Sequence, residues 1–382
     1  MGFAAFLEAK PLYYDVIDYD RMPRIYAAVR HRFTLPKIIH IVGTNGKGST
    51  GRFIASALKE AGCRVGHYTS PHILNFNERV WMDGEDATDA QLETAHELLS
   101  GWLEAADAAA LSYFEYTTLL AMTLYRDCEW AVLEAGLGGE HDATNVFPKL
   151  LSVFTPIDVD HQAFLGEDIA EIAATKLRSM GPALLLAEQP HEEVCEIASE
   201  LAVQRGARCM RIKEILDDAD MEKIETCAAR SGLPGYMAAN MLTAAAAVKF
   251  LGVESRPEGF VKYPMFGRMS CIGENVTVDV GHNPLAARAI LRSMAPRRVV
   301  LVYNTYRDKD FGTILEILAP IIKRVAIIEV NESRIVPGAL LEAALEARGL
   351  AYGPFDGIKA DEEYLVFGSF SVVEAFMRGY HA

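Results

Sequence analysis

His40-Ile41-Val42-Gly43-Thr44-Asn45-Gly46-Lys47-Gly48-Ser49-Thr50 joins an apolar strand to a glycine-rich turn that carries one lysine. Residues 38–42 read as the strand, and Phe53, Ile54, Ala57 and Leu58 mark one face of a helix expected over 51–61. A strand, loop and helix in this order aim backbone N–H groups and a helix N-terminus at one point, where Lys47 adds a positive charge. Such a nest binds anions, and the chemistry it implies is capture of nucleotide phosphates by Gly43, Thr44, Asn45, Gly46, Lys47, Gly48, Ser49 and Thr50. The spacing departs from the usual P-loop. Counting back from Gly46-Lys47 puts Ile41 at the first glycine's place, and Gly48 stands where a hydroxyl residue is expected.

Outward from this loop, apolar stretches alternate with amphipathic ones. Strands are expected at 38–42, 65–69, 130–134, 151–155 and 183–187, and helices at 51–61, 89–106, 114–126, 169–180 and 192–205. That alternation predicts an α/β fold with a parallel sheet covered by helices on both faces. An alanine-rich helix over 237–251 closes this half, and 267–280 reads as strand, turn and strand. A second alternating block follows, with strands at 299–303, 325–330 and 364–367 and helices at 284–293, 311–322, 337–348 and 371–378. Domains are therefore expected at 1–267 and 268–382, the second near the usual size for one core.

Composition narrows the function. The 382 residues carry a formal net charge of −15, which opposes broad nucleic-acid binding, since that depends on basic surface. No apolar run approaches the ~20 residues of a membrane span, and no basic region precedes the short apolar start of the chain, so neither a membrane segment nor a secretory signal is expected. Six cysteines without a C-x-x-C pair argue against a zinc ribbon or a disulfide framework and fit a reduced cytoplasm. An anionic substrate would need a local positive site, which the Lys47 loop supplies.

Four more segments carry a resemblance: Tyr68-Thr69-Ser70-Pro71-His72; Leu133 to Gly139 with Asp142-Ala143-Thr144-Asn145; Asp158-Val159-Asp160-His161; and Asp279-Val280-Gly281-His282-Asn283-Pro284. With the loop, and in this order, they resemble the folylpolyglutamate synthases, of the bacterial type that also has dihydrofolate synthase activity. That group belongs to the Mur ligase superfamily of ATP-dependent amide ligases. The resemblance implies an N-terminal P-loop-type domain, like the Mur ligase central domain, and a smaller Rossmann-like C-terminal domain. It implies that Ser70, Glu134 and His161 hold magnesium, a hard ion that takes few protein ligands. Lys176 falls where the family carries a lysine carbamylated to bind a second magnesium, although the family's Lys-Ala-Gly-Ile is here Lys176-Leu177-Arg178-Ser179.

By the same resemblance Asn240, Arg268 and Asp279 contact ATP, with Met237 where the family usually has glutamine, and His282 faces the catalytic site. Tyr113-Phe114-Glu115-Tyr116 resembles the pterin-binding segment of the bifunctional enzymes: Phe114 would stack on the pterin, and Glu115 and Asp142, with Ala143 beside it, would meet its polar edge. Glu140-His141 replaces the family's Arg-Leu before that aspartate. Asp308-Lys309-Asp310 also matches, and Asp310 is placed to cap the next helix.

The implied reaction activates a carboxylate of dihydropteroate or a reduced folate with ATP and joins it to L-glutamate, in a cytoplasmic, monomeric enzyme using magnesium. A cell-wall Mur ligase would need an added N-terminal domain of about a hundred residues, for which Gly43 leaves no room. A P-loop kinase leaves the second α/β block and the Asp279 segment unexplained. A nucleotide-binding regulator would have no use for a carbamate or second metal.

Overall fold

In the computed structural model, residues 1–10 and 18–380 are described. They divide into two compact units, Met1–Gly232 with Met237–Pro264, and Leu233–Tyr236 with Met265–Ala382.

The first unit is built on an eight-stranded sheet: β1 (Lys37–Val42), β2 (Val65–Tyr68), β3 (Val80–Met82), β4 (Glu85–Asp86), β5 (Trp130–Glu134), β6 (Leu151–Phe154), β7 (Ala183–Leu186) and β8 (Arg208–Arg211). Their spatial order is β4-β3-β2-β5-β1-β6-β7-β8. β1 lies between β5 and β6, parallel to both, so its Ile and Val residues are covered from each side. Ile41 pairs with Glu134 and Val42 with Phe154, which brings the ends of all three strands to one sheet edge. Two hydrophobic clusters grow from this sheet, one around Tyr68, Leu119 and Leu133, the other around Val42, Phe154, Ile172 and Leu184.

The second unit carries β9 (Ser270–Ile272), β10 (Val276–Val278), β11 (Val299–Tyr303), β12 (Ile322–Ile327), β13 (Tyr352–Pro354) and β14 (Tyr364–Phe367). Their order is β13-β12-β11-β14-β10-β9, around a core of Ile290, Leu301, Leu315, Leu341 and Phe367.

Several features differ from the sequence reading. The helix expected over 89–106 ends at Ser100 and is followed by a separate helix at Ala105–Ala110, and the strand expected at 325–330 spans Ile322–Ile327. The sheets are not wholly parallel: β3 and β4 form an antiparallel edge on β2, and β9 runs antiparallel to β10. The helix after the phosphate loop begins at Lys47, not 51, because left-handed Gly46 (φ 84°) ends the turn directly before it. The helix expected over 311–322 stops at Leu318, and a single turn over Ala319–Ile321, with Pro320 in it, leads into β12.

Candidate nucleotide and substrate site

The phosphate loop is held by Thr155, the residue directly after β6. A Cβ on Gly43 (φ 154°) would lie 2.0 Å from Thr155 Oγ1 and 2.9 Å from the Thr155 carbonyl oxygen, so no other residue fits. The amides of Thr44 and Asn45 donate to the Pro156 carbonyl at 2.9 and 3.3 Å. Thr44 Oγ1 donates to the Asp158 carbonyl at 2.9 Å and accepts from the Asp158 amide at 3.1 Å. A Cβ on Gly46 would come within 2.7 Å of Asn240 Oδ1, which places the helix Gly235–Phe250 hard against the turn. Lys47, the first residue of the helix Lys47–Glu60, folds back to donate to the Gly43 and Thr44 carbonyls, each at 3.3 Å. The buried Ser49 and Thr50 hydroxyls and the Asn240 amide nitrogen have no hydrogen-bond partner. Orphaned buried polar atoms cost about 1–3 kcal/mol each, and a bound polar ligand would relieve that cost.

Beside the loop stands Glu134, at the end of β5 and 4 % exposed. Its Oε1 is 3.9 Å from Lys47 Nζ, while Oε2 accepts from Thr69 Oγ1 and, at 3.3 Å, from the Ser70 amide. Lys47, Glu134 and Ser70 thus form one cluster. Lys176, on the helix Ile169–Leu177, is 4 % exposed and donates to the Gly43 carbonyl at 3.1 Å. Burial, and then the nearby Lys47 charge, lower its amine to about 7, with Asp160 and Asp142 pulling the other way. A near-neutral amine is the form that carbon dioxide carbamylates. His161 sits in left-handed backbone (φ 55°), with its ring 4.0 Å from Asp160 Oδ2. Among the described residues no three His, Cys, Asp or Glu side chains converge as a ready metal cage. The set read from the sequence has two such residues, so hydroxyl and carbamate oxygens would have to complete it. Ser70, whose amide meets Glu134, and the weakly basic amine of Lys176 fit that chemistry.

The aromatic segment lies across one glycine turn from Asp142. Phe114 packs against Gly136, where a Cβ would meet its ring at 2.6 Å, and stacks on Tyr68 with centroids 5.8 Å apart. Asp142 Oδ2 accepts from the Leu137 amide at 2.9 Å, so ring and carboxylate flank the same turn. Burial raises the Asp142 pKa, and the hydrogen bonds from Thr144, Leu137 and Gly136 oppose the rise. Ala143 is buried at the start of the short turn that Asp142 caps. Glu115 is already engaged: it closes a capping box on Ser112 and accepts from Arg21 Nε at 2.8 Å.

On the second unit, Asp279 is buried and accepts from the Gly281 amide at 2.8 Å, the Met269 amide at 3.0 Å and the Tyr236 hydroxyl at 2.8 Å. The Arg268 guanidinium lies 5.3 Å over the Phe370 ring. Asn283, rather than His282, caps the helix Pro284–Met294, and His282 Nδ1 sits 3.2 Å from the Val280 carbonyl. Asp310 caps its helix through the Thr313 amide, as expected.

Residues 267–370 match the family model described as Mur ligase, glutamate ligase domain. The Escherichia coli dihydrofolate synthase/folylpolyglutamate synthase is 31% identical over 371 residues, spanning 90% of this chain and 86% of that one. The chain belongs to the dihydrofolate synthase/folylpolyglutamate synthase family. Within that family, the crystal structure of Helicobacter pylori folylpolyglutamate synthetase shares 38% identity and a TM-score of 0.80, covering 99% of this chain and 97% of the other. Escherichia coli FolC in complex with DHPP and ADP shares 26% identity and a TM-score of 0.81, covering 99% and 96%.

Several residues around this candidate site escape a reading by motif. Arg21, ninety-four positions before Glu115, is joined to it only by folding. Gln189 holds the segment behind the phosphate loop, accepting from the Ile157 amide at 2.9 Å, and His191 meets Asp158 Oδ1 at 2.9 Å. No local spacing signals either.

Proposed function

We propose that this protein uses ATP to join L-glutamate to dihydropteroate and to the glutamate tail of reduced folates, forming an amide and releasing ADP and phosphate. The observation that carries the reading is the Lys47–Glu134 cluster beside a loop whose Ser49 and Thr50 hydroxyls are buried without partners. It is a cationic, partly dehydrated nest at the C-terminal edge of a parallel sheet, where ligands bind in such folds.

In this reading the loop amides and Lys47 grip the nucleotide phosphates, with Asn240 against Gly46. The substrate carboxylate attacks the γ-phosphorus, giving an acyl phosphate and ADP. The glutamate amine then attacks the acyl carbon, loses a proton, and phosphate leaves. Lys47 neutralises charge that builds on the transferring group, and the fixed loop supplies positioning. Glu134, Ser70, His161 and Lys176, the last as a carbamate, would hold magnesium, which when bound supplies Lewis-acid neutralisation of phosphate oxygens. Phe114 offers a flat face to the pterin, and Asp142 and Ala143 the wall beside it. Glu115 supports this wall through Ser112 and Arg21.

The test is incubation with ATP, magnesium and glutamate, with dihydropteroate or tetrahydrofolate supplied separately. ADP release with a glutamylated product in both arms is expected. ATP binding without ADP release in either arm would make the protein a nucleotide binder instead.

A further inference from the structure

His40 lies at the centre of β1, wholly buried among Ile38, Ile39, Ile41 and Val42. Its Nε2 is 2.8 Å from Thr144 Oγ1, and Thr144 Oγ1 is 2.5 Å from Asp142 Oδ1. The direction of this chain follows from counting protons. The Thr144 amide donates to Asp142 Oδ1 and the Leu137 amide to Oδ2, each at 2.9 Å, which favours the carboxylate; a carboxylate only accepts, so the single hydroxyl proton of Thr144 goes to Asp142. His40 must then donate to Thr144 from Nε2, which leaves Nδ1 as a bare lone pair. His40 Nδ1 is the ring nitrogen without a partner. The imidazole is held neutral by burial, with the Lys149 charge acting in the same sense.

An aliphatic side chain would fill this place on β1 without an orphaned nitrogen, so the histidine is there for the bond it makes. That bond ends on Asp142, whose other oxygen receives the Leu137 amide at 2.9 Å, on the turn that packs against Phe114. His40 is also three residues before Gly43 on the same strand. One rigid strand therefore carries the phosphate loop at its end and braces the carboxylate of the pterin wall from its middle.

We propose that His40 and Thr144 are positioning residues for the pteroyl substrate, setting the rotamer of Asp142 relative to the phosphate loop through the chain His40 Nε2–H to Thr144 Oγ1–H to Asp142 Oδ1. The inference rests on the reading that Asp142 meets the pterin.

The test begins with KM for dihydropteroate, ATP and glutamate on the full-length protein. Thr144→Val preserves shape and removes the hydroxyl, and His40→Leu removes the donor behind it. Each is expected to raise the dihydropteroate KM about tenfold or more, the order of one lost charge-assisted hydrogen bond, with the ATP KM held within about twofold. Thr144→Ser, and His40→Gln with its amide nitrogen near the Nε2 position, should recover most of the loss. An unchanged dihydropteroate KM in Thr144→Val and His40→Leu overturns the proposal. So does an equal rise in all three KM values, which marks a general packing role. Should those two variants fail to fold, nitrogen NMR of the wild-type histidines still decides: His40 is expected as the neutral Nε2–H tautomer, and an Nδ1–H or doubly protonated ring overturns the chain. A wild-type protein that binds no pteroyl substrate would instead remove the underlying reading.

Discussion

Lys176 Nζ lies 3.1 Å from the carbonyl oxygen of Gly43, so a buried lysine from the helix Ile169–Leu177 ends on the first residue of the phosphate loop. Burial lowers this amine to about 7, further than it lowers Lys149, which falls to about 8.

This amine makes stability depend on pH. The unfolded chain holds the proton up to the ordinary 10.5, whereas the folded chain sheds it above about 7. Between those values the unfolded state binds more protons, so stability rises with pH, by about 1.4 kcal/mol per unit from this group alone. Urea titrations of metal- and nucleotide-free protein from pH 7 to 10 should show Lys176→Met lacking that increment of slope. Parallel pH profiles for wild type and variant would exclude a depressed amine pKa.

The carbamate itself is tested by function. Lys176→Ala is expected to lose turnover, and a small carboxylate such as acetate or formate should restore part of it by standing in for the carbamate oxygens. A fully active Lys176→Ala protein would remove Lys176 from the site.

Lys47→Ala should lower kcat/KM on the order of 10²–10³-fold, the usual loss for one preorganised charge at a transition state, while the melting temperature stays close to wild type. Glu134→Ala should fall similarly and respond to added magnesium only in part. Wild-type turnover in Lys47→Ala would end the phosphate-loop reading.

Gly43→Ala tests the loop's backbone. The added methyl would meet Thr155 Oγ1 at 2.0 Å, and the φ of 154° is strained for any L side chain. A destabilisation of about 1–3 kcal/mol and loss of ADP binding by calorimetry are expected. Ordinary ADP affinity in this variant would contradict the packing of Gly43 on Thr155.

On the second unit, Asp279→Ala would orphan the Met269 and Gly281 amides and the Tyr236 hydroxyl. Urea unfolding should show a loss of several kcal/mol, against about 1 kcal/mol for Tyr236→Phe, which removes one of the three donors and leaves the other two paired. Equal effects would deny Asp279 its place at the centre of this network.

Much of this architecture is written locally. Runs such as Ile38 to Val42 and Val299 to Tyr303, five residues long and rich in β-branched side chains, read as strands covered on both faces, and β5, β11 and β14 fall where the apolar pattern puts them. A cap was legible too, since Asp310 bonds the Thr313 amide, three residues ahead within its own segment. The antiparallel edge strands β3 and β4 were not, because residues at 80–86 carry no long apolar run and pair only where β2 leaves an open edge.

The site divides in the same way. By itself the sequence determined the strand, turn and helix that make a phosphate nest, since those depend on contacts a few residues apart. It also determined the family, through motifs whose order survives in the chain. Only the tertiary structure decided which contacts these side chains make: that Glu115 meets Ser112 and Arg21, that Lys176 reaches Gly43, that Asn283 caps its helix, and that His40 meets Thr144, which bonds Asp142. A hydrogen bond or a shifted pKa is set by whatever burial and charge lie within a few ångströms, and for most of these residues the neighbours are drawn from about a hundred positions away.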